Sequence, residues 1–414
     1  MTFKIDAHTN QGTTTRLETD QESPFNIDEL FFSRTDERGV IQAFNDVFAR
    51  IAEYPDDALR GAPHKLIRHP DMPKAVFWLI WDTLKSGKPI SGYVKNRAKS
   101  GKFYWVYALI LPVSGGYLSV RMKPTSPTLG TVQTLYKTIL QQERDSKLSP
   151  EQSAEFLLLE LRALGFDDYA GFQAHAIVAE FQARERHLKR APFPALTNAL
   201  QVAETQRMIC DRIDSILTEL AQGAIYTLNM KLQATKLGRD RAAIDAIANN
   251  YDLILADIKN GITRLQTLMS DAAETNFRKS KESQILLCAA SIMSEVVNSF
   301  AETDDQITSA EKDRESGYLG GLKQAYVTQS TDAVSAMVKE CRQILGRMGT
   351  LRQMLLALSA VRVSLRVETY RLGAKAKGLE SLIADIDQSQ FKIQQDLEDV
   401  FQTASQLQNA VKDA

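Results

Sequence analysis

Residues 64–73 read His-Lys-Leu-Ile-Arg-His-Pro-Asp-Met-Pro, and this stretch decides how the chain on either side of it can fold. Pro70 and Pro73 lack amide donors and push the residues before them out of helical geometry, so no helix runs through. Arg68, His69 and Asp71 bring a cation, an imidazole and a carboxylate into four positions, which makes a shaped polar turn. Upstream, Val40 to Asn45 (VIQAFN) reads as a short strand entering a polar turn. Downstream, Ala75 to Leu84 reads as a helix stopped by Ser86-Gly87-Lys88-Pro89. Three strand-like runs follow, at 92–97, 104–113 and 116–122, joined by Ala98-Lys99-Ser100-Gly101-Lys102 and by Ser114-Gly115, both good hairpin connections.

Short helices between strands and a closing three-stranded meander describe an α+β domain of the PAS sensor type, an antiparallel sheet with short helices, from about 28 to 124. The stretches GVIQAFNDVFARIAEYPDDALRGAPHKLIRHPDMP, FWLIWDTLKSGKPISGYVKNRAKSGKFYWVYALILPV and GYLSVR resemble the FAD-binding PAS domain of the bacterial aerotaxis receptor family. The resemblance covers roughly the first third of the chain, and RHPDMP followed by VKNR and YWV is far more specific than a generic PAS pattern. Two positions depart from the family: Ile90 stands where Trp is usual, removing an aromatic surface, and Glu53 stands where Gly usually precedes the Tyr.

The resemblance implies bound FAD and turns polar residues into candidate contacts. Arg68 and His69 can hold phosphates or ring oxygens, and Asp71 can orient one of them. Without the resemblance the same three residues read as a hydrogen-bonded loop network. Asn45 and Asn96 carry amides suited to a flavin edge, although Asn45 equally suits capping a helix that begins near Asp46. Trp105 either touches the ring or fills the core; by strand alternation Tyr104 and Val106 share one face and Trp105 takes the other. Trp78 and Trp81, three apart on a helix, read as core or interface.

The 414 residues allow two or three domains, and a net charge of −1 excludes a basic nucleic-acid face over the whole chain. The apolar runs fall far short of the ~20 residues that cross a bilayer. The first 24 residues are polar and carry no signal-like segment, so the expected location is cytoplasmic, although the receptor family is membrane-anchored. Cys210, Cys288 and Cys341 lack metal-ligand spacing and read as buried thiols.

Along the chain, residues 1–25 read as a loose arm, 26–124 as the PAS domain, 125–148 as a linker and connecting helix, and 149–195 as a helical connector. Ser149-Pro150-Glu151-Gln152 carries a capping signature, Gly165 a stop, and Asp167 or Asp168 the next cap. Residues 196–414 read as antiparallel, coiled-coil-like helices, with breaks expected near Gly238, Gly317-Gly320-Gly321 and Gly373 to Gly378. Their apolar stripes need partners, either each other or a second subunit. The segments ATKLGRDRAAIDAIA and TYRLGAKAKGLESLI echo one another, aligning Leu237-Gly238 with Leu372-Gly373 without a gap. The first also resembles a degraded chemoreceptor signalling hairpin.

Catalytic signatures are missing. His175 and His187 lack the neighbouring acid of a phospho-accepting histidine, Gly320-Gly321 does not continue into a cyclase motif, and no phosphate loop, nucleophile elbow or zinc spacing occurs. The reading is a non-enzymatic, probe-and-relay protein: a PAS domain sensing redox state or oxygen through FAD, helices passing the change on, a homodimer, and a chemotaxis-type kinase or adaptor as partner. Nucleic acid and a transmembrane segment are not expected. The rival readings are a cofactor-free PAS scaffold, and a haem or metabolite pocket with His64 or His69 as axial ligand.

Overall fold

Runs of β-branched and aromatic residues bounded by turn residues build the sheet, and its central strands are buried on both faces. In the computed structural model, strands β1 (Phe31–Thr35) and β2 (Ile41–Phe44) lead into helices α1 (Asp46–Ala52) and α2 (Asp56–Leu59), a 3-10 turn over His64–Ile67, and helix α3 (Lys74–Lys85). Strands β3 (Ile90–Arg97), β4 (Phe103–Val113) and β5 (Gly116–Met122) follow, and the five strands pair antiparallel in the order β2-β1-β5-β4-β3. The structure describes the backbone of residues 19–302 and 309–412, and their side chains except those of 268–278, 299–302, 309–315, 340, 341, 344 and 407–412.

The sheet separates two environments. Val94, Asn96, Ala108, Ile110, Ser119 and Arg121 face helix α3 and the 3-10 turn. Tyr93, Trp105 and Tyr107 sit on the other face, because successive side chains on a strand point to opposite sides. That second face meets α4 (Thr128–Asp145) and α6 (Tyr169–His187), while α5 (Pro150–Ala163) packs on α3. The caps are those the sequence signals: Ser149 and Gln152 form the capping box of α5, and Asp168 accepts from the Gly171 amide at 2.6 Å to start α6.

Part of the expected arm is tied down. Ser23 donates its amide to Phe103 at 2.7 Å and its hydroxyl to Ile51, and Phe25 is buried, so residues 19–25 run beside the start of β4. Residues 1–18 lie outside the described residues. Glu53, the residue found where the resembling family has glycine, has φ of 58° and ends α1 in the left-handed conformation. Its carboxylate accepts from the Ser100 amide at 3.1 Å and from Lys102 at 3.3 Å, which offsets the strain.

The contacts divide the chain into two units, one holding Met1–Pro192 with Ser291–Gly320, the other Phe193–Ala290 with Gly321–Ala414. The helices beyond α6 are α7 (Pro194–Thr235), α8 (Arg241–Glu302), α9 (Ser309–Leu372) and α10 (Leu379–Lys412). The expected break near Gly317, Gly320 and Gly321 does not occur: α9 passes through all three. A helical glycine costs about 1 kcal/mol, less than the buried stripe carrying Leu319, Met337, Met348 and Leu351 returns. Breaks do occur at Gly238 (φ 57°) and Gly373 (φ 54°), each opening a short 3-10 turn before the next helix.

Within the second unit the echo extends well past the turns. At the spacing that separates Gly238 from Gly373, Ile213 pairs with Met348, Ile216 with Leu351, Leu220 with Leu355, Ile244 with Leu379, and Ile262 with Leu397, all buried. The ion pair Lys231–Asp252 across the first turn has its counterpart in Arg366–Asp387 across the second. These helices therefore bury their apolar stripes on each other within one chain. No described helix is long and apolar enough to cross a membrane. Cys288 is buried and Cys210 half-buried, while the Cys341 side chain lies outside the description.

Candidate functional site

A cavity of about 330 Å³ lies between the inner face of the sheet, the 3-10 turn and α3. Its walls are apolar and aromatic: Phe77, Ile80, Trp81 and Leu84 from the helix, and Val94, Ala108, Ile110 and Tyr117 from the sheet. Trp81 and Tyr117 meet edge to face with ring centroids 5.6 Å apart. Two buried polar atoms in the lining have no partner: the side-chain amide nitrogen of Asn96 and the hydroxyl oxygen of Ser119. A buried donor left unsatisfied costs about 1–3 kcal/mol, so two in one cavity mark a place built for a polar ligand edge.

The lining carries Arg38, Lys65, Arg68 and Arg121 and no carboxylate. They are graded by depth: Arg38 and Lys65 are exposed, Arg68 is half-buried and Arg121 is buried. Arg121 donates to the Ser33 hydroxyl at 3.0 Å and the Ser119 carbonyl at 3.3 Å, and lies 5.2 Å from the Phe48 ring centroid. Burial pulls its pKa down to about 10. Arg121 also donates to Nε2 of His64; a guanidinium only donates, so His64 is neutral with its proton on Nδ1. His64 faces the cavity yet lies deep, and burial, followed by the Arg121 charge, holds its pKa to about 3.

Arg68 stacks over Phe77 at 3.8 Å from the ring centroid and donates to the Met72 carbonyl at 3.2 Å. Burial lowers its pKa, against the attraction of Glu143. Its backbone bridges to Asn96, so the turn and β3 hold the two side chains at the same cavity.

Of the six residues proposed from sequence, Arg68 and Asn96 line this cavity; Asn45, His69, Asp71 and Trp105 do not. Asn45 caps α1 and is spent there, accepting from the Phe32 and Phe48 amides and donating to the Leu30 carbonyl. His69 is buried behind the turn, where its Nδ1 accepts from the Asp71 amide at 3.1 Å. Asp71 is exposed and pairs with Lys95 at 2.7 Å. Desolvation pushes its pKa up, but the Lys95 hydrogen bond and charge outweigh that and hold it below the usual carboxylate value. Trp105 packs on Tyr136 on the far face of the sheet, at 6.1 Å between centroids.

Sequence reasoning missed Trp81, Tyr117, Ser119 and Arg121. The last three alternate along GYLSVRM, and a strand that puts Tyr, Ser and Arg on one face between apolar neighbours is a readable signal of a polar inner wall. Ile90, where the resembling family has an aromatic residue, is fully buried beside Ile110 and does not line the cavity.

Residues 42–119 match the family model described as PAS fold, and this segment is a PAS domain. It is one of the aerotaxis receptor family: the chain is 42% identical over 126 residues to the aerotaxis receptor of Escherichia coli (strain K12). That alignment covers 29% of this chain and 25% of the receptor, so the chain spans about a quarter of the length of the curated relative it matches. A solved fungal LOV domain photoreceptor aligns with 25% of this chain and 79% of its own, at 18% identity and a TM-score of 0.20.

Proposed function

We propose that the PAS cavity holds FAD and that the chain senses redox state or oxygen and relays it through its helices, as a non-enzymatic component of an aerotaxis-like pathway. The observation that carries this reading is the cavity itself: apolar walls, two unpartnered buried polar atoms, and four cations in the lining, of which Arg38 also pairs with Asp36 at 3.2 Å. Its volume suits a ring system. Trp81, Tyr117 and Phe77 offer the ring flat apolar surface, and the Asn96 amide and Ser119 hydroxyl offer its polar edge hydrogen bonds. Arg68, with Lys65 and Arg38 toward the mouth, suits the diphosphate. Bound flavin would supply a charge that changes with its redox state. Buried Arg121 and neutral, half-buried His64, both at the wall, would respond to that charge by strengthening or weakening their hydrogen bonds.

A haem reading has less support, because the His64 Nε2 is taken by Arg121 and His69 does not line the cavity. On the reading preferred here the partners are a second copy of the chain and a chemotaxis-type kinase or adaptor. Leu228 and Leu232 on α7, and Val363 and Val367 at the equivalent positions of α9, are exposed apolar pairs available to them. The test is the absorption spectrum of the purified chain beside Arg68→Ala. Flavin bands near ~370 and ~450 nm, lost in the variant, support the reading, since the colour belongs to the cofactor. A chain that stays colourless in excess FAD overturns it.

A further inference from the structure

Helix α6 carries two fully buried charged side chains, Glu180 and Arg184, one turn apart. Nothing in the cavity requires either of them. Glu180 accepts four hydrogen bonds: from the Tyr93 hydroxyl at 2.7 Å, the Ser126 hydroxyl at 2.7 Å, the Thr125 amide at 2.6 Å and the Ser126 amide at 3.0 Å. It thereby clamps β3 to the exit of the PAS domain. Arg184 donates to the Ile27 carbonyl at 3.0 Å and the Asp28 carbonyl at 3.3 Å, at the domain's entry, and to the Glu295 carboxylate at 2.7 Å. Glu295 lies on the part of α8 that belongs to the first unit, and Arg190 also binds it, at 2.9 Å.

We propose that α6 is the output lever of the PAS domain and that the Arg184–Glu295 pair is the latch through which it restrains the 291–298 stretch of α8. The geometry gives the route. Tyr93 stands on β3 three residues from Asn96, whose amide faces the cavity, so a shift of β3 driven from the cavity displaces the Tyr93 hydroxyl on the opposite face. Glu180 couples that displacement to α6, because it joins the Tyr93 hydroxyl to the exit segment Thr125–Ser126 in one buried network. Arg184 is rigidly coupled to Glu180 on the same helix and has no room to re-aim, being wholly buried. What yields is its bond to Glu295. A pair of a buried Arg184 and a half-buried Glu295 suits such a switch, since parting it leaves the buried guanidinium without its carboxylate. The latch rests on the sensor reading for the identity of the signal, but its mechanics do not need FAD.

The experiment is backbone hydrogen exchange on the full chain, comparing wild type, Glu295→Gln and Tyr93→Phe. Glu295→Gln keeps the shape and removes the charge; Tyr93→Phe removes only the hydroxyl that reaches Glu180. The expected result is exchange at 291–298 faster by about tenfold in both variants, with β4 and β5 unchanged. Adding FAD to wild type should change exchange at 291–298, and Tyr93→Phe should blunt that change. Unchanged exchange at 291–298 in Tyr93→Phe overturns the latch, as does acceleration spread over the whole PAS domain. If FAD does not bind while both variants still accelerate 291–298, the FAD reading falls and the latch stands.

Discussion

Replacing Asn96 by Leu should move stability and ligand affinity in opposite directions. Asn96 is 2% exposed and its amide nitrogen has no partner in the chain, so the flavin-free protein carries the cost of a desolvated donor, about 1–3 kcal/mol. Leucine has nearly the same volume and no donor; after a packing loss of under about 1.5 kcal/mol, the flavin-free protein should gain about 1 kcal/mol. That is a rise of about 2–4 °C in the melting temperature of a unit this size. With FAD the sign reverses, because a ring carbonyl then enters the cavity unpaired. The loss of about 1–3 kcal/mol corresponds to about 5- to 150-fold weaker binding. Differential scanning fluorimetry of the flavin-free protein and titration with FAD measure the two effects. A variant that melts lower and binds FAD as tightly as wild type would refute the argument, since the amide would then serve the fold and not the ligand.

Arg68→Ala should weaken FAD binding strongly at a stability cost of about 1–2 kcal/mol, from the lost stacking on Phe77 and one hydrogen bond, whereas Asp71→Ala should change binding little and stability by under about 1 kcal/mol. Titration with FAD and chemical denaturation of both variants separate these outcomes. His64, held to about 3 when folded, takes up its proton first in the unfolded chain. Stability is therefore full above pH ~6.5 and falls as pH drops toward 3, by up to about 2 kcal/mol at pH 5. Denaturation at pH 7 and pH 5 should show that slope in wild type and a shallower one in His64→Gln. Gly39→Ala should destabilise the PAS unit by about 1–2 kcal/mol, because φ is 78° and the added carbon would sit 3.1 Å from the Trp81 ring; an unchanged melting temperature would show that the indole moves aside freely.

Much of the scaffold was legible because it is locally encoded. Pro70 and Pro73, the Ser86-Gly87-Lys88-Pro89 stop and the two hairpin connections place α3 and the meander, and Ser149 and Asp168 cap the helices they were read to cap. The glycine breaks were legible only in part. Gly238 and Gly373 turn the chain because each adopts a left-handed backbone, whereas Gly317, Gly320 and Gly321 stay helical because the apolar stripe around them continues.

The site was less legible, since proximity in sequence is not orientation in space. His69 and Asp71 neighbour Arg68 in the chain, but the turn rotates only Arg68 toward the cavity. Arg121 lies far along the chain and reaches His64 only when β5 packs above the 3-10 turn. The sequence by itself determined the PAS scaffold, the caps and the tandem echo of the helical hairpins, because each follows from local propensity, periodicity or a specific run of residues. The tertiary structure alone decided which polar groups face the cavity, that Trp81 and not Trp105 lines it, and that Arg184 meets Glu295. Those outcomes depend on which face of one element packs against another, and burial leaves each buried polar group only the partners that packing brings within reach.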